Sequence, residues 1–242
     1  MSVLPEGYEV LVKEAVAHYW RTLDAQTKKQ TTGDRGNRSA VTGGKQMDGF
    51  CALVRTIVRA NGLVDASVFD RKGLQLPGYF RPTKKWDVLV VHQKHLVAAV
   101  EFKSQVGPSF GNNLNNRTEE AVGTACDIAT AYREGAFGVD RPRPWVGWAM
   151  FLEDCPGSNR TVAVQEPHFK VDEQFRDATY AKRYELMLRR LVLEKCYDSA
   201  ALLMATRSDA IVGNYREPAA DLTTKRFLAG LGGHVQTFLA SL

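Results

Sequence analysis

The sequence predicts an α/β fold, in which a mixed central β-sheet is flanked by helices. Short apolar strands, at residues 87–91, 96–100 and 145–152, alternate with segments whose apolar residues recur at helical spacing. A chain of 242 residues with 44% hydrophobic content is long enough for one well-filled core, so we predict a single domain over residues 1–242. The order helix, strand, strand, helix, strand implies an α/β sandwich.

The first elements each have a local signal. Residues 8–23 place apolar side chains on one helical face, and Asp48 is a candidate N-cap for a second helix that ends at Asn61. Residues 63–85 contain several Gly and Pro residues and predict irregular structure leading into the first apolar strand.

Amide side chains dominate the segment after the second strand. Residues 104–117 predict a loop, with Asn116 as the cap of a helix over residues 118–133. Apolar spacing then predicts a strand over 145–152, a helix near 177–195, a strand over 200–205 and a terminal helix near 222–239.

Two predicted strands carry the residues with the clearest chemistry. Asp87 opens the first strand, and the second ends in Glu101-Phe102-Lys103. Because side chains alternate along a strand, Glu101 and Lys103 should project together while Phe102 turns into apolar packing. The polar turn at residues 92–95 should close a hairpin that brings Asp87 near Glu101. The pattern therefore predicts two carboxylates and an ammonium at one edge of a sheet.

Such a group of side chains suits phosphodiester hydrolysis with a divalent metal. Magnesium prefers oxygen ligands and is often held by one or two carboxylates, waters and the substrate phosphate. Asp87 and Glu101 are the candidate ligands, and the carbonyl of Phe102 is a further oxygen donor. Lys103 would contact the scissile phosphate or the attacking water. The alternative is a solvated ion pair on an edge strand; a competing Asp-Arg-Lys triplet at residues 70–72 lacks an apolar strand.

These residues resemble the PD-(D/E)xK nuclease superfamily. The two acidic residues and the lysine of that superfamily correspond to Asp87, Glu101 and Lys103, although Trp86 stands where the superfamily name implies proline. Together with the segment Phe-Gly-Asn-Asn-Leu-Asn-Asn-Arg-Thr-Glu-Glu at residues 110–120, most of the chain resembles the XhoI-type type II restriction endonucleases.

Some members of the superfamily use a Glu from the preceding helix. No Glu occurs here between Glu14 and Glu101, so Asp48 is the nearest candidate for a further carboxylate, and its role as a helix cap is favoured.

The resemblance implies a restriction-endonuclease-like core at about residues 48–155, with N- and C-terminal elements for DNA binding and dimerisation. It further implies a magnesium-dependent homodimer that cuts double-stranded DNA within CTCGAG and leaves a 5′ overhang. A companion DNA methyltransferase would act on the same site. A two-fold protein on a two-fold site has a physical reason, since each subunit reads one half and cuts one strand.

Guanine is read best by Arg or Lys, and adenine by Asn or Gln, in the major groove. The amide-rich segment offers both chemistries close to the predicted catalytic strand, so our first candidates for DNA contacts are Asn112, Asn113, Asn115 and Arg117. The second candidates lie in a polar stretch at residues 207–216 and in a basic segment at residues 27–46, where cationic side chains suit a phosphate backbone: Arg35, Arg38 and Lys45. A solvated loop is the alternative for the basic segment.

Composition limits the remaining classes of protein. The formal net charge is +5, and no stretch approaches the roughly twenty apolar residues of a membrane span. The first residues lack the pattern of a signal peptide, so we expect a cytoplasmic protein, and the resemblance to restriction endonucleases implies a prokaryotic one. The four cysteines form no C-x-x-C pair, which argues against a zinc site. Two other functions stay open: a repair or structure-selective nuclease of the same superfamily, and a DNA-binding protein without catalysis.

Overall fold

The computed structural model describes residues 2–32 and 44–242. The helices of the described ranges are α1 (Tyr8–Thr32), α2 (Asp48–Ala60), α3 (Phe110–Arg133), α4 (Pro156–Asn159), α5 (Tyr180–Leu193), α6 (Arg207–Ile211) and α7 (Thr224–Ala240). The strands are β1 (Val68–Phe69), β2 (Gln75–Pro77), β3 (Thr83–Lys85), β4 (Val88–His92), β5 (His95–Gln105), β6 (Trp145–Glu153) and β7 (Ser199–Ala205).

A five-stranded sheet in the order β1-β4-β5-β6-β7 forms the centre of the structure. β4 runs antiparallel to β1 and β5, whereas β5, β6 and β7 are mutually parallel, so the sheet is mixed. Helices α1, α2 and α7 pack on one face, and α3 and α5 pack on the other. The predicted α/β fold with a mixed, helix-flanked sheet is confirmed. No helix within the described ranges is long and apolar enough to cross a membrane.

The hairpin predicted at the centre of the sheet is present. β4 pairs with β5 from Val88 opposite Val100 to His92 opposite His95. The two turn residues between them, at positions 93 and 94, have φ values of 47° and 62°. Positive φ at both positions is the backbone twist that joins two antiparallel strands most directly.

Several predicted boundaries are wrong for physical reasons that the structure makes visible. Residues 63–85 contain β1, β2 and β3, whose two or three residues each are too few to produce a visible alternation. Asp48 is the first residue of α2, and Met47 occupies the cap position without a side-chain hydrogen bond. The later elements agree with the prediction closely: β6, α5, β7 and α7.

The predicted loop at residues 104–117 is the largest error. β5 continues to Gln105, and α3 already begins at Phe110. Phe110 and Leu114, four residues apart, are both buried against the sheet, and this packing outweighs the turn preference of the amides around them. The amide-rich residues therefore lie in the first turns of a helix, and Asn116 is an interior helix residue rather than a cap.

A substitution at this position distinguishes the two assignments. Asn116→Ala is expected to raise the free energy of unfolding by about 0.5 kcal/mol, because alanine is the better residue in a helix interior. A true cap would instead lose about 1 kcal/mol on the same change. Thr179→Ala is the matched control, since the Thr179 side chain accepts a hydrogen bond from the Lys182 backbone N–H at 3.1 Å at the start of α5. Urea denaturation of both variants measures the difference.

Candidate active site

The end of the β4–β5 pairing creates an opening in the sheet. The register stops at Val88 opposite Val100, whereas β5 runs on beside β6 as far as Gln105. Asp87 stands just before β4, and its Oδ2 accepts a hydrogen bond from the Phe102 backbone N–H at 2.7 Å. A carboxylate thus takes a backbone donor at the point where the two strands separate.

The two faces of β5 divide as the alternation predicts. The ring of Phe102 packs 5.6 Å from that of Phe50 in the core on the α2 side of the sheet. On the opposite face, the Nζ of Lys103 lies 2.5 Å from Oε1 of Glu101 and 5.6 Å from the ring centroid of Trp148. Glu101 itself is only 3% exposed.

Two further charged residues join this group, and sequence reasoning missed both. Glu120 of α3 places Oε1 2.6 Å from the Lys103 Nζ. Lys84 of β3 places its Nζ 2.9 Å from Oε2 of Glu101. The predicted helix over residues 118–133 already contained Glu120, but no sequence pattern indicated that its side chain approaches β5. The three-residue strand that carries Lys84 has no recognisable sequence pattern.

Charges of opposite sign alternate through the group. The contacts run in order from Lys84 to Glu101, Lys103, Glu120 and Arg117. The last of them joins Nη1 of Arg117 to Oε2 of Glu120 at 2.6 Å. Such a chain holds each charged group near another of opposite sign, which offsets much of the cost of removing it from water.

The pKa values report how the buried charges affect one another. Burial acts to lower the pKa of the Lys103 ammonium, but Glu101 and Glu120 outweigh it and the net shift is upward. Burial acts to raise the pKa of Glu120, but contacts with Lys103 and Arg117 hold it below its usual range. Lys103 is therefore a persistent cation in this arrangement.

Asp87 behaves differently from the paired carboxylates. Burial, followed by repulsion from Glu101, raises the pKa of Asp87 to about 6, although its hydrogen bond from Phe102 acts in the opposite direction. Both burial and the neighbouring negative charge of Glu101 disfavour the charged form of this carboxyl. A divalent cation next to Asp87 would instead favour the charged form.

The available donors fit magnesium. Asp87, Glu101 and the backbone carbonyl of Phe102 offer only oxygen, the ligand type that this cation prefers. In the part of the chain that the structure describes, no three His, Cys, Asp or Glu side chains are grouped as a metal site. Magnesium does not require three, because it commonly retains waters and binds the substrate phosphate alongside one or two carboxylates.

Some of the predicted DNA-contact residues are exposed, whereas others make contacts within the protein. Asn112 and Asn115 are exposed on α3, whereas the Nδ2 of Asn113 donates to the Ser109 carbonyl at 2.7 Å. Arg117 is held by Glu120, so the structure directs it toward the charged group rather than outward. Lys45 is exposed just before α2, and its carbonyl accepts a hydrogen bond from His18. Arg35 and Arg38 lie outside the described residues.

The competing triplet at residues 70–72 has a structural explanation. Asp70 forms an ion pair with Arg55 of α2 at 2.9 Å, which ties β1 to that helix. Its carboxylate is thus occupied by an arginine rather than by the lysines of the charged group.

Comparison with known proteins identifies the family of this chain independently of the site geometry. The family model described as restriction endonuclease XhoI matches residues 26–217. The type II restriction enzyme BstVI of Geobacillus stearothermophilus is 54% identical over 215 residues, covering 86% of this chain and 96% of that protein. XhoI of Xanthomonas vasicola is 52% identical over 190 residues, covering 77% and 76% respectively.

A third relative agrees with the first two. AbrI of Azospirillum brasilense, also a type II restriction enzyme, is 56% identical over 180 residues, covering 73% of this chain and 80% of its own length. No solved structure matches this chain. The family match and the extent of these identities lead to one conclusion: the chain belongs to the XhoI family of type II restriction endonucleases.

Proposed function

We propose that this protein is a magnesium-dependent endonuclease that cuts double-stranded DNA within CTCGAG and leaves 5′ overhangs. The observation that carries the proposal is the contact of Lys103 with Glu101 beside Asp87, where β5 extends beyond its hairpin partner. The family supports site-specific DNA cleavage. The particular site and the overhang follow from the resemblance to XhoI-type enzymes.

Each residue has a distinct part in the proposed reaction. Asp87, Glu101 and the Phe102 carbonyl would hold magnesium, which supplies Lewis-acid activation of the water and the phosphate. The Lys103 ammonium would stabilise the negative charge that develops on the phosphate. Glu120 keeps Lys103 in position and protonated, because its Oε1 lies 2.6 Å from the Nζ. Lys84 restrains the other oxygen of Glu101.

The proposal extends to the assembly and its setting. A homodimer would place one such site on each strand of a palindrome, with each subunit reading one half. The proposed role also requires a companion methyltransferase that modifies the same sequence and so protects host DNA in a prokaryotic cytoplasm.

Digestion of DNA of known sequence, followed by mapping of the fragment ends, tests the proposal. We expect discrete fragments whose ends map to CTCGAG with 5′ overhangs, and no cleavage when EDTA removes the divalent metal. The same preparation of Lys103→Ala controls for contaminating nucleases. Discrete ends at a different sequence would overturn the site alone, whereas a smear or cleavage confined to junctions would favour a repair or structure-selective nuclease.

A further inference from the structure

The β2–β3 hairpin displays two aromatic side chains at its tip. Tyr79 and Phe80 lie in the turn between the strands, and they are 54% and 68% exposed. Their rings contact each other edge to face, with centroids 5.0 Å apart. Large apolar side chains exposed together, rather than singly, are typical of a surface that binds something.

Hydrogen bonds to a buried side chain of α3 fix the backbone that carries these rings. Asp127 of α3, whose side chain is 5% exposed, accepts hydrogen bonds from the backbone N–H groups of Tyr79 and Phe80 at 2.7 and 3.0 Å. Its other oxygen accepts from the Arg81 Nε at 2.6 Å. A Cβ on Gly78 would lie 2.6 Å from the Arg81 carbonyl, so the turn also requires glycine there. A fixed turn loses little conformational entropy when its side chains bind a partner.

The tip lies close to the candidate active site by two independent measures. Lys84, which contacts Glu101, follows Arg81 by three residues in the same hairpin, which is about 10 Å of extended chain. Asp127 follows Glu120 by seven residues on α3, which is about 10 Å of helix. One DNA strand rises about 3.4 Å per nucleotide, so a separation of about 10 Å corresponds to roughly three nucleotides.

One positive charge lies at the tip itself. Arg81 follows Phe80 in the turn, and its side chain remains 42% exposed despite its contact with Asp127. The other exposed basic residues of this region lie at the opposite end of the hairpin, where Lys85 pairs with Gln75 and the turn before β2 carries Arg71 and Lys72. A cation beside exposed aromatic rings suits a nucleic acid, whose phosphates attract the cation and whose bases offer flat apolar faces.

We propose that the hairpin tip enters a groove of the DNA beside the cleavage position, with Tyr79 and Phe80 in direct contact with bases. This inference rests on the proposed function, because it places duplex DNA at the opening next to Asp87. Aromatic or apolar side chains that enter a groove partly unstack the neighbouring bases and displace water from them. The tip would then help to align the recognition sequence with the catalytic group.

The test measures binding without cleavage. Tyr79→Ala and Phe80→Ala are prepared in the Asp87→Asn background, and each is titrated with a short CTCGAG duplex that carries 2-aminopurine in place of the adenine. We expect the dissociation constant to rise by about 5- to 100-fold for each change. The fluorescence change that reports base unstacking should also be lost. Phe169→Ala is the matched control, since Phe169 is 88% exposed and does not lie in the hairpin.

The outcomes separate this inference from the proposed function. Unchanged affinity and unchanged fluorescence in both tip variants, from a protein whose wild type cuts at discrete sites, would overturn the inference alone. Conversion of a dimer to a monomer in sedimentation by either tip variant would assign the rings to a subunit interface and would equally overturn it. A wild-type protein that neither binds nor cuts duplex DNA would overturn both proposals.

Discussion

Lys103→Ala is expected to lower the rate of DNA cleavage by about 10²- to 10³-fold, which is the usual effect of removing one group that stabilises transition-state charge. The Lys103 ammonium lies between Glu101 and Glu120, at 2.5 and 2.6 Å, and is the basic group closest to the proposed metal ligands on that face of β5. Single-turnover cleavage at saturating enzyme measures the rate, and gel-shift titration should show that the duplex is still bound.

Two controls make this result specific. Lys225→Ala removes an exposed ammonium in the first turn of α7, which packs on the other face of the sheet, and should leave the rate unchanged. Lys103→Ala should remain folded, since Lys84 still neutralises Glu101 at 2.9 Å, and thermal unfolding checks this point. If Lys103→Ala cleaves at the wild-type rate, Lys103 is not the catalytic cation. A loss confined to Lys84→Ala would then transfer the role to the β3 lysine.

Asp87→Asn is expected to abolish magnesium-dependent cleavage and yet to stabilise the metal-free protein near neutral pH. The pKa of Asp87 is raised to about 6 in the folded chain, against about 3.9 in an unfolded one. The folded protein therefore binds a proton at Asp87 more tightly than the unfolded chain does. The contribution of this group to the free energy of unfolding is fully present below pH 4 and falls by about 1–3 kcal/mol in total as the pH rises through 6. Asparagine cannot ionise, so the variant avoids this loss.

Magnesium should reverse the order of stability. We expect the ion to bind the folded wild type and to raise its Tm through linkage, whereas Asp87→Asn lacks the carboxylate that would bind it. Asparagine can still accept the hydrogen bond from the Phe102 N–H through its amide oxygen, so the local backbone should be preserved. Thermal scans in EDTA and in magnesium, at pH 4 and at pH 7.5, give the Tm of the wild type and of Asp87→Asn under all four conditions.

Asp48→Asn is the matched control for this experiment. Asp48 is exposed in the first turn of α2, so its loss should change neither the magnesium-dependent shift nor cleavage. A magnesium response that survives in Asp87→Asn and disappears in Asp48→Asn would contradict the proposed ligand set and move the metal toward α2.

Local physics made much of the fold predictable. Period-two alternation along β5 is a property of any extended chain, so Glu101 and Lys103 could be placed on one face and Phe102 on the other from sequence alone. Apolar continuity likewise identified β4, β5, β6 and β7, because strands buried on both faces consist almost entirely of apolar residues.

Local preference failed where tertiary packing opposed it. The amides at residues 112–116 favour turns, yet the burial of Phe110 and Leu114 against the sheet draws them into α3. Glu120 was missed for a different reason, since its approach to Lys103 depends on how α3 crosses the sheet. Lys84 was hidden for a related reason, since β3 is defined by its pairing with β2 rather than by any pattern of its own.

The sequence by itself determined the α/β class, the hairpin and the group of Asp87, Glu101 and Lys103, because each depends on strand periodicity and on residues close together in the chain. Only the tertiary structure decided that Lys84 and Glu120 complete the charged group and that Asp127 holds an aromatic tip beside it. Those contacts join residues 17 to 48 positions apart. Their formation depends on the packing of α3 and the β2–β3 hairpin around β5, which no local pattern encodes.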